Sequence, residues 1–163
     1  DILINNASIV KGGIEYRIEN FADVVNVNLM GLMRISHAML PKLAISKGSI
    51  VNVTSASTKL SLANSPSYSA TKGGIKTLTE SMAACWSQHD VRVNAVAPGW
   101  IKGRTMNTIK KDIKNFKDYK KRIPLGRLGN PEDVANTIIF LASDKASYIS
   151  GSTIFVDGGY SIN

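Results

Sequence analysis

The chain holds a single cysteine, Cys85, so it can form neither an intrachain disulfide nor a multi-thiolate metal site. That fits a reducing, cytoplasmic setting. Proline is scarce, at 5 residues, and the 13 glycines follow no period, which excludes collagen-like and low-complexity chains. No apolar run approaches the roughly 20 residues that a membrane-spanning helix needs. His37 and His89 have no ligand spacing and no Gly-x-Ser-x-Gly turn is present, so zinc and serine-hydrolase readings are poor. What is there is ordinary globular material: 163 residues, 44% hydrophobic and 20% charged, enough for one core and one domain over residues 1–163.

The formal charge of +8 is unevenly placed. Between Lys102 and Arg127 lie ten basic residues (Lys102, Arg104, Lys110, Lys111, Lys114, Lys117, Lys120, Lys121, Arg122 and Arg127) against Asp112 and Asp118, so this segment carries the whole excess. Within it Met106, Ile109, Ile113, Phe116, Tyr119 and Ile123 recur at spacings of three and four, the stripe of an amphipathic helix with a basic outer face. Such a face either solubilises a packed stripe or draws an anionic substrate or cofactor to a groove.

Apolar runs alternate with longer helical patterns. Ile2–Ile4, Ser49–Val53, Val91–Ala97 and Thr153–Val156 are short and rich in β-branched residues, as strands buried on both faces are. Asn20–Leu43, Pro66–Gln88, Thr105–Arg122 and Pro131–Ala142 read as helices. Pro131 suits a first helical position, with Glu132 and Asp133 at the positive end. The order predicts an α/β fold, a doubly wound, Rossmann-like parallel sheet with helices on both faces. A complete dinucleotide fold of this kind uses roughly six strands, and four are visible.

The clearest chemical feature is Tyr68 and Lys72, four apart on one helical face. An ammonium beside a phenol favours phenolate and lowers a pKa that is about 10 in the free residue, which makes Tyr68 a usable acid or base. Alone the pair is weak, because that spacing occurs by chance on many helices. Ser55 adds context: it ends the strand Ile50-Val51-Asn52-Val53, and ligands of open α/β sheets bind outside the carboxyl ends of the strands.

With these residues the sequence resembles the short-chain dehydrogenase/reductase family, classical type, from Asp1 to at least Tyr160. Asn5-Asn6-Ala7-Ser8 is similar to its Asn-Asn-Ala-Gly strand end, Val27-Asn28-Leu29 to its helix motif, Gly48 to Ser55 to its serine strand, and Tyr68 with Lys72 to its signature pair. Val91 to Ile101, Arg127 to Ala135 and Gly151 to Gly159 are similar to its later strand, its Pro-Gly turn and its C-terminal part.

The resemblance implies an oxidoreductase that interconverts a carbonyl and a secondary alcohol with NAD or NADP. Tyr68 is implied as general acid/base and Ser55 as hydrogen-bond partner of the reacting oxygen. Lys72 is implied to hold the nicotinamide ribose and depress the Tyr68 pKa. Asn28 is implied in a proton relay through a water and Lys72, at a helix kink that frees a backbone carbonyl. Asn6, Ala7, Tyr68, Lys72, Pro98, Gly99, Ile101 and Thr105 are implied in cofactor binding, and no residue in metal binding. The basic segment 102–127 takes the place of a substrate lid, the partner is a small-molecule carbonyl or alcohol, and a homo-oligomer, dimer or tetramer, is expected without nucleic acid or membrane.

Two departures and one absence stand against the family pattern. Ser8 replaces the usual Gly, and Gly103 stands where a cofactor-contacting Thr is common, with Thr105 the nearest hydroxyl. Nothing matches the Gly-rich turn that would hold a pyrophosphate. The chain is therefore expected to be the C-terminal portion of a longer protein. Substrates resembling 3-oxoacyl-carrier-protein and those of sugar or polyol dehydrogenases both fit Ile123-Pro124-Leu125-Gly126-Arg127, and a catalytically silent binding or assembly module is the alternative.

Overall fold

Runs of β-branched residues set the sheet. The computed structural model describes residues 1–103 and 120–163. Its four strands, β1 (Ile2–Asn5), β2 (Ser49–Val53), β3 (Arg92–Pro98) and β4 (Thr153–Val156), form one parallel sheet in the order β1-β2-β3-β4. Ile2 pairs with Ser49, Ser49 with Arg92 and Ala95 with Thr153, which brings the carboxyl ends of β1, β2 and β3 to one edge. The sequence predicts each of these strands to within a residue or two.

Alternation along β2 and β3 assigns the two faces. Ile50 and Val93 pack with Leu32 and Leu43 of α2 (Leu32–Ser46) and with Ile75, Met82 and Trp86 of α3 (Pro66–Trp86). Val51 and Val96 point the other way, onto Val134, Ile138 and Leu141 of α4 (Pro131–Ala142). Helices thus cover both faces, and the sheet is doubly wound. No helix among the described residues is long and apolar enough to cross a membrane.

Local chemistry fixes the ends of α4. Pro131 opens it, and the Asp133 carboxylate accepts from the Asn130 amide at 2.7 Å and pairs with Arg127 at 2.7 Å. Arg127 and that amide hold the Asp133 carboxyl down to about 2. At the other end the Arg92 guanidinium donates to the carbonyls of Leu141 and Ser143 at 2.8 and 3.2 Å, a cation on the negative end of the helix.

The predicted helix Asn20–Leu43 is divided. It begins as α1 (Ile18–Val25), passes through a π-helical turn over Asn26–Gly31, and continues as α2. Hydrophobic spacing cannot distinguish that single wider turn from α-helix, yet the turn holds Asn28, where a kink is expected. The helix predicted over Thr105–Arg122 falls largely on residues 104–119, outside the described residues. The last member of its stripe, Ile123, is buried against Leu128 and Tyr160.

Candidate active site

A cleft of about 370 Å³ opens at the carboxyl ends of β1, β2 and β3. Asn6 and Ser8 line it from the end of β1, Val53 to Ser57 from β2, and Pro98 to Gly103 from β3. Tyr68 and Lys72 close one side from the first turns of α3, and Tyr160 enters from the C-terminal part. Of the predicted site residues, the cleft thus gathers Asn6, Ser55, Tyr68, Lys72, Pro98, Gly99 and Ile101. Ala7 is exposed and outside the wall, and Thr105 lies outside the described residues.

Tyr68 is reached by three influences. Burial pushes its phenol above the usual range, a hydrogen bond with Ser55 lowers it, and the Glu15 carboxylate raises it. The Lys72 ammonium lies 5.5 Å from the ring centroid, and burial is the largest of the influences on the phenol, so the net shift is upward. Lys72 is itself buried, and burial lowers its pKa to about 8. Its Nζ donates to the Val53 carbonyl at 2.9 Å, leaving two of three donors free of hydrogen bonds among the described residues.

Ser55 precedes the short turn Ala56–Thr58, and its Oγ accepts from the Ser57 amide at 3.1 Å. The hydroxyl keeps its proton for another acceptor. Ser57 Oγ, also on the cleft wall, is buried without a hydrogen-bond partner among the described residues.

Asn28 does something the sequence does not foretell. Its amide accepts from the Ile9 N–H at 2.8 Å and donates to the Ile9 carbonyl at 2.9 Å, as a neighbouring strand would. A further bond reaches Thr71 Oγ1 at 3.3 Å, one residue from Lys72. The side chain therefore fastens the loop after β1 to α3. Asn28→Ala should leave two backbone groups of Ile9 unpaired, costing about 2 kcal/mol or more. Hydrogen exchange should speed up in residues 6–10; unchanged protection there would contradict this role.

The turn after β3 is shaped by packing. A Cβ on Gly99 would stand 2.6 Å from Asp157 Cβ and 2.7 Å from Asp157 Cα, so only glycine lets the turn close onto the C-terminal part. Gly129 donates to the Trp100 carbonyl and accepts from the Lys102 amide, which turns the backbone groups of Ile101 away from Gly129. Asp157 accepts from the amides of Gly159 and Ser161, each at 2.9 Å, and serves the C-terminal turn. Gly99→Ala should destabilise the protein by about 1–3 kcal/mol. A thermal midpoint equal to that of the parent would show that the turn has room to spare.

The donor set suits the nicotinamide and ribose end of a dinucleotide. Among the described residues Lys72 keeps two donors without partners and Ser57 an unpaired hydroxyl, and Pro98 to Ile101 line the cleft. Among the described residues no group of three or more His, Cys, Asp or Glu could hold a metal ion.

Comparison with known proteins agrees with this geometry. A family model described as enoyl-(acyl carrier protein) reductase matches residues 1–161. The 3-oxoacyl-[acyl-carrier-protein] reductase FabG of Thermotoga maritima is 40% identical over 162 residues, covering 98% of this chain and 65% of the relative. The 2-dehydro-3-deoxy-D-gluconate 5-dehydrogenase of Escherichia coli is 34% identical over 164 residues, with coverage of 98% and 65%. A gluconate 5-dehydrogenase from Burkholderia cenocepacia, solved with NADP and tartrate, superposes with a TM-score of 0.93 at 31% identity, over 100% of this chain and 65% of that one. The chain thus spans 65%, just under two thirds, of the length of these relatives.

Proposed function

We propose that this chain, which belongs to the short-chain dehydrogenase/reductase family, acts in an NAD(P)-dependent oxidoreductase that interconverts a carbonyl and a secondary alcohol. The observation that carries this reading is the convergence of Ser55, Tyr68 and Lys72 on one cleft beside the turn Pro98–Ile101.

The nicotinamide, when bound, supplies or accepts the hydride at the carbinol carbon. Tyr68 gives its phenolic proton to the carbonyl oxygen in reduction, or takes the hydroxyl proton in oxidation. The raised pKa keeps that proton in place at neutral pH, which suits the reductive direction. Ser55 donates to the same oxygen and orients it. Lys72 holds ribose hydroxyls with its two free donors, and Asn6, Pro98, Gly99 and Ile101 shape the wall against which the cofactor rests. Asn28 supports this set at the π-helical turn and by its grip on Ile9.

The lid is assigned to the basic segment 102–127. Lys102 lines the cleft at its start, and Ile123 packs beside the cleft residue Tyr160 near its end. A homo-oligomer, dimer or tetramer, is supported by uncovered apolar side chains such as Ile35 on α2 and Ile139 on α4. The single cysteine suits a cytoplasmic location.

Two substrate classes come from the relatives, 3-oxoacyl thioesters on a carrier and sugar acids. The excess positive charge at the lid favours the phosphopantetheine-linked acyl class. Mixing the intact protein with NADPH or NADH and one member of each class, and following oxidation of the reduced nicotinamide, tests this. Turnover with an acyl thioester is the expected result. Cofactor binding with no turnover on either class would favour a silent binding module.

A further inference from the structure

We infer that Glu15 is a positioning residue whose buried carboxylate ties the turn Gly12–Tyr16 to the first turn of α3, fixing where Tyr68 stands in the cleft and placing a negative charge behind it. The inference rests on the reading of Tyr68 as the acid/base. Glu15 is fully buried, which for a carboxylate demands compensation. Oε1 accepts from the amides of Lys11 and Gly12 at 2.8 and 3.2 Å. Oε2 accepts from Ser67 Oγ at 2.6 Å and from the Tyr68 amide itself at 2.9 Å.

One carboxylate thus satisfies an orphan donor at the start of α3, the Tyr68 amide, and the amides of Lys11 and Gly12 in a loop far from that helix in sequence. These four bonds overcome the penalty of burial and hold the Glu15 carboxyl below its usual range. Its negative charge sits at the positive end of α3. An apolar residue could fill the volume, but it could not grip the amide of the acid/base residue.

Among the described residues the charged and titratable groups around Tyr68 are few. Lys72 faces it from its own helix, Glu15 from the turn Gly12–Tyr16, and Lys102 and Tyr160 across the cleft. Ser55 contributes a neutral hydroxyl. Glu15 is the one anion of this set, and its charge opposes ionisation of Tyr68. Removing the Glu15 charge should therefore move the titration of Tyr68 downward, whatever else it does to the fold.

The test compares Glu15→Gln, Glu15→Asp and Glu19→Gln in the intact protein, with Tyr68→Phe alongside. Glu15→Gln should lower kcat about tenfold with the cofactor KM nearly unchanged, and shift the pH limb assigned to Tyr68 to lower pH. Glu15→Asp keeps the charge but shortens the reach, so kcat should fall while the limb stays. Glu19→Gln removes an exposed acid on α1 and should change neither.

If Glu15→Gln does not fold, Glu15→Asp carries the test, and wild-type turnover in that variant overturns the inference. A fall in kcat with thermal midpoint but no movement of the limb in Glu15→Gln overturns it too, since a structural brace alone would do that. If Tyr68→Phe keeps its turnover, the catalytic reading falls and takes the inference with it. If Tyr68→Phe is inactive and the Glu15→Gln limb is unmoved, only the inference fails.

Discussion

Turnover should fall roughly 10³-fold in Tyr68→Phe, while the affinity for the reduced nicotinamide and the thermal midpoint stay close to those of the parent. The substitution removes one hydroxyl and keeps the ring, so the packing of α3 against the cleft survives. What is lost is the proton that the reacting oxygen needs and the bond with Ser55. Ser55 still offers its own proton, but a serine hydroxyl cannot take on the acid/base role near neutral pH. Steady-state rates with and without the hydroxyl, together with nucleotide titration, measure both halves. Turnover within a few-fold of the parent would remove Tyr68 from the mechanism.

Lys72→Met should raise stability while abolishing most of the activity. Burial lowers the Lys72 pKa to about 8, against 10.5 for the ordinary side chain, so holding it charged at neutral pH costs about 3 kcal/mol. Methionine fills similar volume without that cost but forfeits the bond to Val53, worth about 1 kcal/mol. A net gain of about 1–2 kcal/mol is expected at pH 7, alongside severe loss of turnover and of ribose binding.

The pH dependence carries a definite sign. Between about 8 and 10.5 the folded state has released the Lys72 proton while the unfolded chain still holds it, so parental stability rises with pH through that window. The advantage of Lys72→Met should therefore be full below pH 8 and gone above about 10.5. Denaturant unfolding at several pH values, without nucleotide, reads this directly. A variant that is less stable than the parent at pH 7 would show that Lys72 is held by favourable interactions instead. A residue that destabilises the fold while serving the cleft is the pattern expected of a site selected for chemistry.

Much of this arrangement is legible in local sequence. The β-branched runs mark β1 to β4, Pro131 with its acids marks α4, and the four-residue spacing puts Lys72 beside Tyr68. Each signal acts within one element, where period and propensity speak. The groups that hold the site together act across it. Glu15 meets Tyr68 over 53 positions, and Asn28 meets Ile9 over 19. Asn5 donates to Ser36 and to Asn52, and Asn52 in turn to Thr79, locking β1, β2, α2 and α3 through buried amides.

No period in the sequence announces such pairs. A lone Glu before an amphipathic helix reads as a solvated acid, and only burial shows otherwise. The same limit applies to the Tyr68 pKa: spacing reveals the neighbouring Lys72 but not the burial that raises the phenol. Thr105 and most of the basic stripe remain expectations of sequence and family, since they lie outside the described residues.

The central claim is that Tyr68 and a nicotinamide cooperate in reducing a carbonyl at this cleft. The most direct measurement is mass spectrometry of the alcohol formed by the intact protein from a 3-oxoacyl thioester and reduced nicotinamide carrying deuterium at both C4 positions. The account predicts transfer of deuterium to the carbinol carbon in the parent and almost none in Tyr68→Phe under the same conditions. Alcohol formed without deuterium at that carbon, or formed as readily by Tyr68→Phe, would contradict it.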